Sequence, residues 1–338
     1  MNGLPRKELS MRKHKIFPVW SLKRFSDKGF TITELMVATV VGMIILGVTY
    51  STYISQQRAF TAQDQTAELN STSKIALNII ANAVREAGFG VPDDGTFTIN
   101  TFSAKITATD SSSGPDQLTI VGAFRPAGTL CSNGAGNAIV SNNTQIILAP
   151  PAGSPQLDNI NTTDRRNISI GGLSFGIVTA GGGAVMTLTL QDRIGSAYPL
   201  YTDLNSDGNC DDGEGVPVYV IEDYTFRVVG TDLQRVMRLN GGSPATNVIA
   251  ENIEDLQFAY GVDTNNDDVV DLYRNAPIFG DRVKTVRINI LARSGREDMN
   301  FFGQGNPPAA IENHNLAASN DNLRRRWWQL EVDVRNPI

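Results

Sequence analysis

KGFTITELMVATVVGMIILGVTY, residues 28–50, decides how the chain is read. A single acid, Glu34, stands at the head of an apolar run. From Leu35 to Gln57 no residue is charged, and Arg58 ends the stretch. About 20 apolar residues, rising about 1.5 Å each, suffice to cross a bilayer. Gly42 and Gly47 lie inside the run, and a membrane helix tolerates glycine better than a soluble one. A membrane-spanning helix is therefore expected here. The competing reading, a buried globular helix, rarely stays uncharged for so long.

The leader before it is basic. Residues 1–29 hold eight Lys and Arg against Glu8 and Asp27, a net charge of +6. A secretory signal places its apolar core ahead of a small-residue cleavage site. Here the basic region runs straight to Gly29 and the apolar core follows, so a cut at Gly29 leaves the helix on the mature chain. By the positive-inside rule the basic flank stays cytoplasmic, which puts everything after Arg58 across the inner membrane. Met11 offers a second start.

The run Gly29-Phe30-Thr31-Ile32-Thr33-Glu34-Leu35 resembles the class III signal of type IV prepilins and pseudopilins. The resemblance implies cleavage after Gly29 by prepilin peptidase and N-methylation of Phe30. It also implies that Glu34 pairs with the N-terminal amine of a neighbouring subunit during filament assembly. The physics agrees with that role. A carboxylate at the centre of a membrane helix costs about 2.5–3.5 kcal/mol, less near an end, and a neighbour's amine relieves the cost on assembly. The plainer reading places Glu34 at the interface as an N-terminal helix charge.

No proline occurs between Pro18 and Pro92. Leu69, Ile75, Leu77, Ile79, Ile80, Ala83 and Val84 recur with spacings of three and four, an amphipathic stripe. Gly88, Gly90 and Pro92 then stop the helix, which is expected over about 31–88. Major pilins often carry a proline at the position matching Ser51, and its absence puts their usual helix kink in doubt. After Gly90 the composition shifts to Gly, Ser, Thr, Asn and Val. Strands are expected at 117–124, 144–149, 184–190, 216–229, 233–239, 253–260, 282–292 and 327–334, with a further one at 167–170. The expected fold class is α+β and type IV pilin-like, a long N-terminal helix packed on a β-rich globular head. Its divisions are a cleaved leader 1–29, a transmembrane half-helix 30–58, a soluble half-helix 59–90 and a head 91–338.

Two later blocks, VIAENIEDLQFAYGVD at 248–263 and RRWWQLEVDVRN at 325–336, resemble the corresponding blocks of PilW-type minor pilins. Trp327 and Trp328 depart from the single aromatic more usual there. The resemblance covers roughly 29–90 and 246–336. It implies a minor pilin that helps prime pilus assembly and sits at or near the tip. The implied partners are other minor pilins and the major pilin, prepilin peptidase, the inner-membrane assembly platform and a tip adhesin. The implied location is the inner membrane, single-pass, with the head in the periplasm and later on the surface pilus. A minor pseudopilin of a type II secretion system shares every N-terminal feature. A calcium-dependent surface adhesin is the alternative of a different class.

Without its leader the chain has 21 Lys and Arg against 33 Asp and Glu, a net charge of −12 that argues against nucleic acid as a partner. Cys131 and Cys210 are the only cysteines, and across the inner membrane a Cys131–Cys210 disulfide is expected. Closing that loop would contribute about 4.5 kcal/mol in the chain-entropy model. Two free buried thiols remain the alternative.

Signals for catalysis are poor. Residues 172–176, GLSFG, fit G-x-S-x-G but lead into Gly181-Gly182-Gly183 rather than a helix, so the nucleophile-elbow context fails. A hydrolase would need His314, the only histidine outside the leader, beside Ser174. No enzyme is expected.

The informative site is DLNSDGNCDDGE, 203–214, which fits D-x-[DN]-x-[DN]-G-x5-E at every required place. Asp203, Asn205, Asp207, Asn209, Asp211 and Glu214 are its candidate calcium ligands, and Gly208 allows the sharp turn. Acidic Asn/Gly turns also arise as plain hairpin loops. A second, weaker candidate comprises Asp263, Asn265, Asp267 and Asp271, but it lacks the glycine and has Arg274 at position 12. Calcium is the one cofactor expected.

Overall fold

The structure is a computed structural model. It describes residues 29–91, 99, 102–131, 139–140, 145–149, 160, 167–172, 174–182, 185–190, 216–238, 244–278, 280–299, 301 and 305–335. For 128–131, 139–140, 145–149, 174, 180–182, 185–190 and 216 it describes the backbone alone. The chain divides into two compact units, Met1–Gln57 and Arg58–Ile338.

One helix, α1 (Ile32–Glu86), starts in the first unit and ends in the second. Its part in the first unit is exposed nearly throughout. Three threonines there donate their hydroxyls to carbonyls four residues back, Thr39 to Leu35, Thr49 to Ile45 and Thr52 to Val48. An apolar solvent can therefore surround them without meeting an unsatisfied hydroxyl. In the second unit the burial pattern begins at Gln65 and recurs at Leu69, Ser73, Ala76, Leu77, Ile80 and Val84. Leu69, Leu77, Ile80, Ala83 and Val84 of the stripe read in the sequence are buried, but Ile75 is 51% exposed and Ile79 only half-buried, because Ser73, Ala76 and Ala81 take the face turned to the sheets. Gly88 ends the helix at φ 73°, a left-handed conformation in which an added Cβ would lie 2.7 Å from Lys105 Cδ.

Among the described residues sixteen strands follow. They are β1 (Ile106–Thr109), β2 (Gln117–Cys131), β3 (Ile139–Val140), β4 (Gln145–Ala149), β5 (Asn167–Ile170), β6 (Ser174–Gly182), β7 (Val185–Leu190) and β8 (Val216–Val229). Next come β9 (Asp232–Arg238), β10 (Ala245–Ala250), β11 (Ile253–Asp263), β12 (Leu272–Arg274) and β13 (Arg282–Arg293). The last are β14 (Ala310–Ile311), β15 (His314–Asn315) and β16 (Arg325–Asp333). A ten-stranded sheet has the order β1-β2-β4-β7-β6-β5-β8-β9-β10, with β3 on β4. Because β2 also pairs with β8, the path β2-β4-β7-β6-β5-β8 closes on itself. A second sheet has the order β12-β11-β13-β16, and β14 and β15 form a small hairpin.

The main core lies where α1 meets both sheets. Leu77, Ile80 and Val84 pack with Leu118, Ile120 and Phe226 from the large sheet and Leu256, Phe258, Ile288 and Val332 from the four-stranded one. Along β13 the alternation shifts from Val283 to Val286 because the register with β11 slips between Gly261 and Val262. A bulge of this kind returns the apolar side to the core.

Asp116, just before β2, stitches the two sheets. Its N–H donates to Leu256 O at 2.7 Å, and its carboxylate accepts from Phe258 N at 2.9 Å and Ser111 N at 2.8 Å. The side chain thus replaces a carbonyl that a neighbouring strand would have offered β11.

Candidate functional site

Gly29 and Phe30 precede α1, and Phe30 is 89% exposed. Thr31 and Glu34 then close a reciprocal ring at the helix start. Thr31 N and Thr31 Oγ1 each donate to Glu34 Oε2 at 2.9 Å, and Glu34 N donates to Thr31 Oγ1 at 3.2 Å. This capping box satisfies helix-end donors that would otherwise be orphaned. Glu34 Oε1 makes no bond among the described residues. The pattern T-x-x-E at 31–34 is the sequence signature of this cap, hidden behind the intermolecular role that Glu34 also suggests. Glu34, Ala38, Gly42 and Ile45 share one face of the helix. The helix is long and apolar enough to cross a membrane, with an 18-residue stretch of mean hydropathy 2.1, none of it buried.

The weaker calcium candidate lies between β11 and β12. Asp263 Oδ1 accepts from the backbone N–H of Asn265, Asn266 and Asp267, and Oδ2 from Asp268 N. Asn265 Oδ1 accepts from Asp267 N, and Asp271 Oδ2 from Thr264 N and Oγ1. The Asn265 amide donates to Asp267 at 3.2 Å and Asp271 at 3.5 Å, so three of the four candidates meet around it. Asp268 holds φ 68° where calcium loops use glycine. Two cations of the chain itself serve the loop. Arg282 reaches Asp263 at 3.1 Å and Asp268 at 2.8 Å, and Lys284 reaches Asp268 at 2.9 Å. The Lys284 ammonium above all holds the Asp268 carboxyl below its usual range, and the Thr264 hydroxyl does the same for Asp271. Among the described residues no group of three or more His, Cys, Asp or Glu is placed to hold a metal ion. The stronger candidate, 203–214, and Cys210 lie outside the described residues; Cys131 is described as backbone in β2.

Among the described side chains His314 meets Asp255. Its Nδ1 is 3.0 Å from Asp255 Oδ2, a carboxylate 1% exposed. Gln257 Nε2 spends its two hydrogens on Asp255 Oδ1 and Gly114 O, so the His314 proton on that side belongs to Nδ1. The neighbouring side chains of the β14–β15 turn are also tied, Glu312 to Asn289 and Asn313 to Asp110. Burial, opposed by the two N–H donors, raises the Asp116 carboxyl to about 6, and the charges of Asp110 and Asp255 push the same way. The pairings of His314 with Asp255, Glu312 with Asn289 and Asn313 with Asp110 are not local in sequence, so no spacing announces them.

Two family models match the chain. The prokaryotic N-terminal methylation motif matches residues 24–50, over the junction and the start of α1. Together with one long apolar helix and a β-rich head, this marks a type IV pilin-like protein. The family described as type IV pilus-assembly protein W matches residues 218–336, from β8 through β16, and makes the chain PilW-like. No curated protein matches. Among solved structures, a type IV-like pilin, TTHA1219, from Thermus thermophilus is similar at 12% identity and a TM-score of 0.35. That likeness covers 80% of this chain and 96% of that one.

Proposed function

We propose that the chain is a minor pilin that helps prime type IV pilus assembly and sits at or near the pilus tip. The observation that carries this reading is the junction Gly29-Phe30 with Glu34 at the head of a membrane-length helix, in a chain whose C-terminal part is PilW-like. On this reading prepilin peptidase cuts after Gly29 and Phe30 is methylated. The helix anchors the chain once in the inner membrane, with the head in the periplasm. The partners are the major pilin, other minor pilins, the assembly platform and a tip adhesin. Deleting the gene should remove surface pili while leaving the major pilin in the membrane; unchanged piliation sinks the reading. Glu34→Ala should still insert, since losing a charge lowers insertion cost. It should fail to enter or prime filaments. Wild-type pilus numbers with the variant incorporated would refute the role given to Glu34.

Calcium binding at 203–214 is a second part of the proposal, supported by its complete loop pattern. Loops of extracellular modules bind at about 10⁻⁴–10⁻³ M, so millimolar calcium should contribute about 1 kcal/mol, or about 2–4 °C in melting temperature. The chain should be tested with α1 present, because Leu77, Ile80 and Val84 belong to the core of the head. Melting curves in calcium, magnesium and chelator are compared, with Glu214→Gln expected to abolish the calcium increment. Coincident curves for the unaltered chain would leave 203–214 as an acidic turn.

A further inference from the structure

The cap at the start of α1 divides the Glu34 carboxylate unequally. Oε2 receives one hydrogen from Thr31 N and one from Thr31 Oγ1, both at 2.9 Å. A threonine hydroxyl carries a single hydrogen and accepts at its lone pairs. The Thr31 hydroxyl gives its hydrogen to Glu34, so the 3.0 Å contact between the Thr31 and Thr33 hydroxyls is donated by Thr33. Thr31 Oγ1 also accepts from Glu34 N at 3.2 Å. The Thr31 hydroxyl is thereby saturated, and so is Glu34 Oε2, whose lone pairs are both filled. Glu34 Oε1 takes no bond among the described residues.

Both donors to Oε2 belong to one residue, at the point where the helix begins. The first helical bond, Leu35 N to Thr31 O at 3.2 Å, fixes that residue in turn. The carboxylate cannot swing away from the helix start without losing both bonds, so Oε1 is held in one place. Without the Thr31 hydroxyl only the Thr31 N–H would remain, and a glutamate side chain held at one point regains much of its rotamer freedom.

We propose that Thr31 is the positioning residue of the assembly contact: it ties Oε2 to its own helix and presents Oε1 as the single acceptor for the N-terminal amine of a neighbouring subunit. This rests on the reading of Glu34 as the acceptor of that amine. An N-methylated amine is a secondary ammonium with a pair of N–H groups, and a carboxylate with both oxygens free would take the pair in a fork. With Oε2 filled, the contact is one N–H on one oxygen, and the second N–H is left for another acceptor. Because Oε1 is fixed before the neighbour arrives, the contact forms without having to order the Glu34 side chain.

The test is made in cells that build the filament, with the whole chain carrying Thr31→Ser, Thr31→Gly or Glu34→Ala. Intact mass gives the cleaved and methylated fraction of each, and the chain recovered in sheared filaments is counted per cleaved chain. Glycine and threonine cap a helix start about equally well, so Thr31→Gly keeps the start of α1 and removes only the hydroxyl. Thr31→Ser, which keeps the hydroxyl, should match the parent. Thr31→Gly should enter filaments about tenfold less, the size expected for one hydrogen bond to a charged group, and Glu34→Ala less still. Thr31→Gly equal to the parent overturns the positioning role, leaving Thr31 a helix cap and the role of Glu34 intact. Thr31→Ser as poor as Thr31→Gly also overturns it, because the hydroxyl is then not what matters. Glu34→Ala entering filaments like the parent overturns this proposal together with the reading it rests on. A leader retained on Thr31→Gly overturns it as well, since the hydroxyl would then act at the peptidase.

Discussion

Arg325→Met should be the most damaging single change outside the apolar core, costing about 3 kcal/mol, the lower end of the range for breaking a buried ion pair. The Arg325 side chain is 3% exposed, and all five of its N–H groups are engaged. Nε and one terminal nitrogen grip Glu254 at 2.5 and 3.0 Å, the two terminal nitrogens grip Asp321 at 2.6 and 2.7 Å, and one of them also reaches Gly305 O at 2.8 Å. This hydrogen bonding holds the Asp321 carboxyl well below the usual carboxylate range. With the guanidinium gone, two carboxylates face each other and a carbonyl loses its donor. Both acids stay partly exposed, which sets the lower end of the range. Arg325→Lys should recover only part of the loss, because an ammonium lacks the planar fork. Denaturant unfolding of the chain in detergent measures it. A loss under about 1 kcal/mol would put this cluster among ordinary surface pairs.

Stability should also depend on pH through Asp116, by about 2–3 kcal/mol between pH 4 and 6, since a tenfold change in proton affinity is worth about 1.4 kcal/mol. The folded chain holds the Asp116 proton up to about pH 6, the unfolded chain only to 3.8. Folding is thus favoured by this group below about pH 4, and the advantage fades as pH rises to about 6. Asp116→Asn removes the titration. The difference between the two unfolding free energies should therefore slope over that window and be level above it. Asparagine cannot accept from both Phe258 N and Ser111 N, so the variant should be weaker than the protonated parent throughout. Parallel profiles for the two proteins would show that Asp116 titrates as an ordinary surface acid.

Long-range order is legible where one physical cause dominates. The helix expected over about 31–88 is α1, Ile32–Glu86, because charge, stripe and glycine stops all agree. The strand expected at 216–229 coincides with β8, and those at 253–260 and 282–292 lie within β11 and β13. Strands without a strong apolar period escape such a reading. Ser174–Gly182 carries three glycines and Ala245–Ala250 is a largely exposed edge strand without an apolar alternation, yet pairing with neighbours makes both extended. The Thr31–Glu34 cap has a local signature, whereas Asp116, His314 with Asp255 and Arg325 with Glu254 do not. Their partners are chosen by topology, and no window of sequence contains it.

The same topology has a consequence for how the chain is made. Gln65 meets Arg324 across 259 residues, and Val332 of β16 enters the core that Leu77 and Ile80 open. A ribosome therefore delivers the first wall of this core long before the last. Throughout that interval the apolar stripe of α1 lacks its final cover, and contacts so distant in sequence form slowly. A chaperone that shields the stripe until β16 emerges would raise the yield, and a stop codon just before β16 would cost the fold rather than merely shorten it.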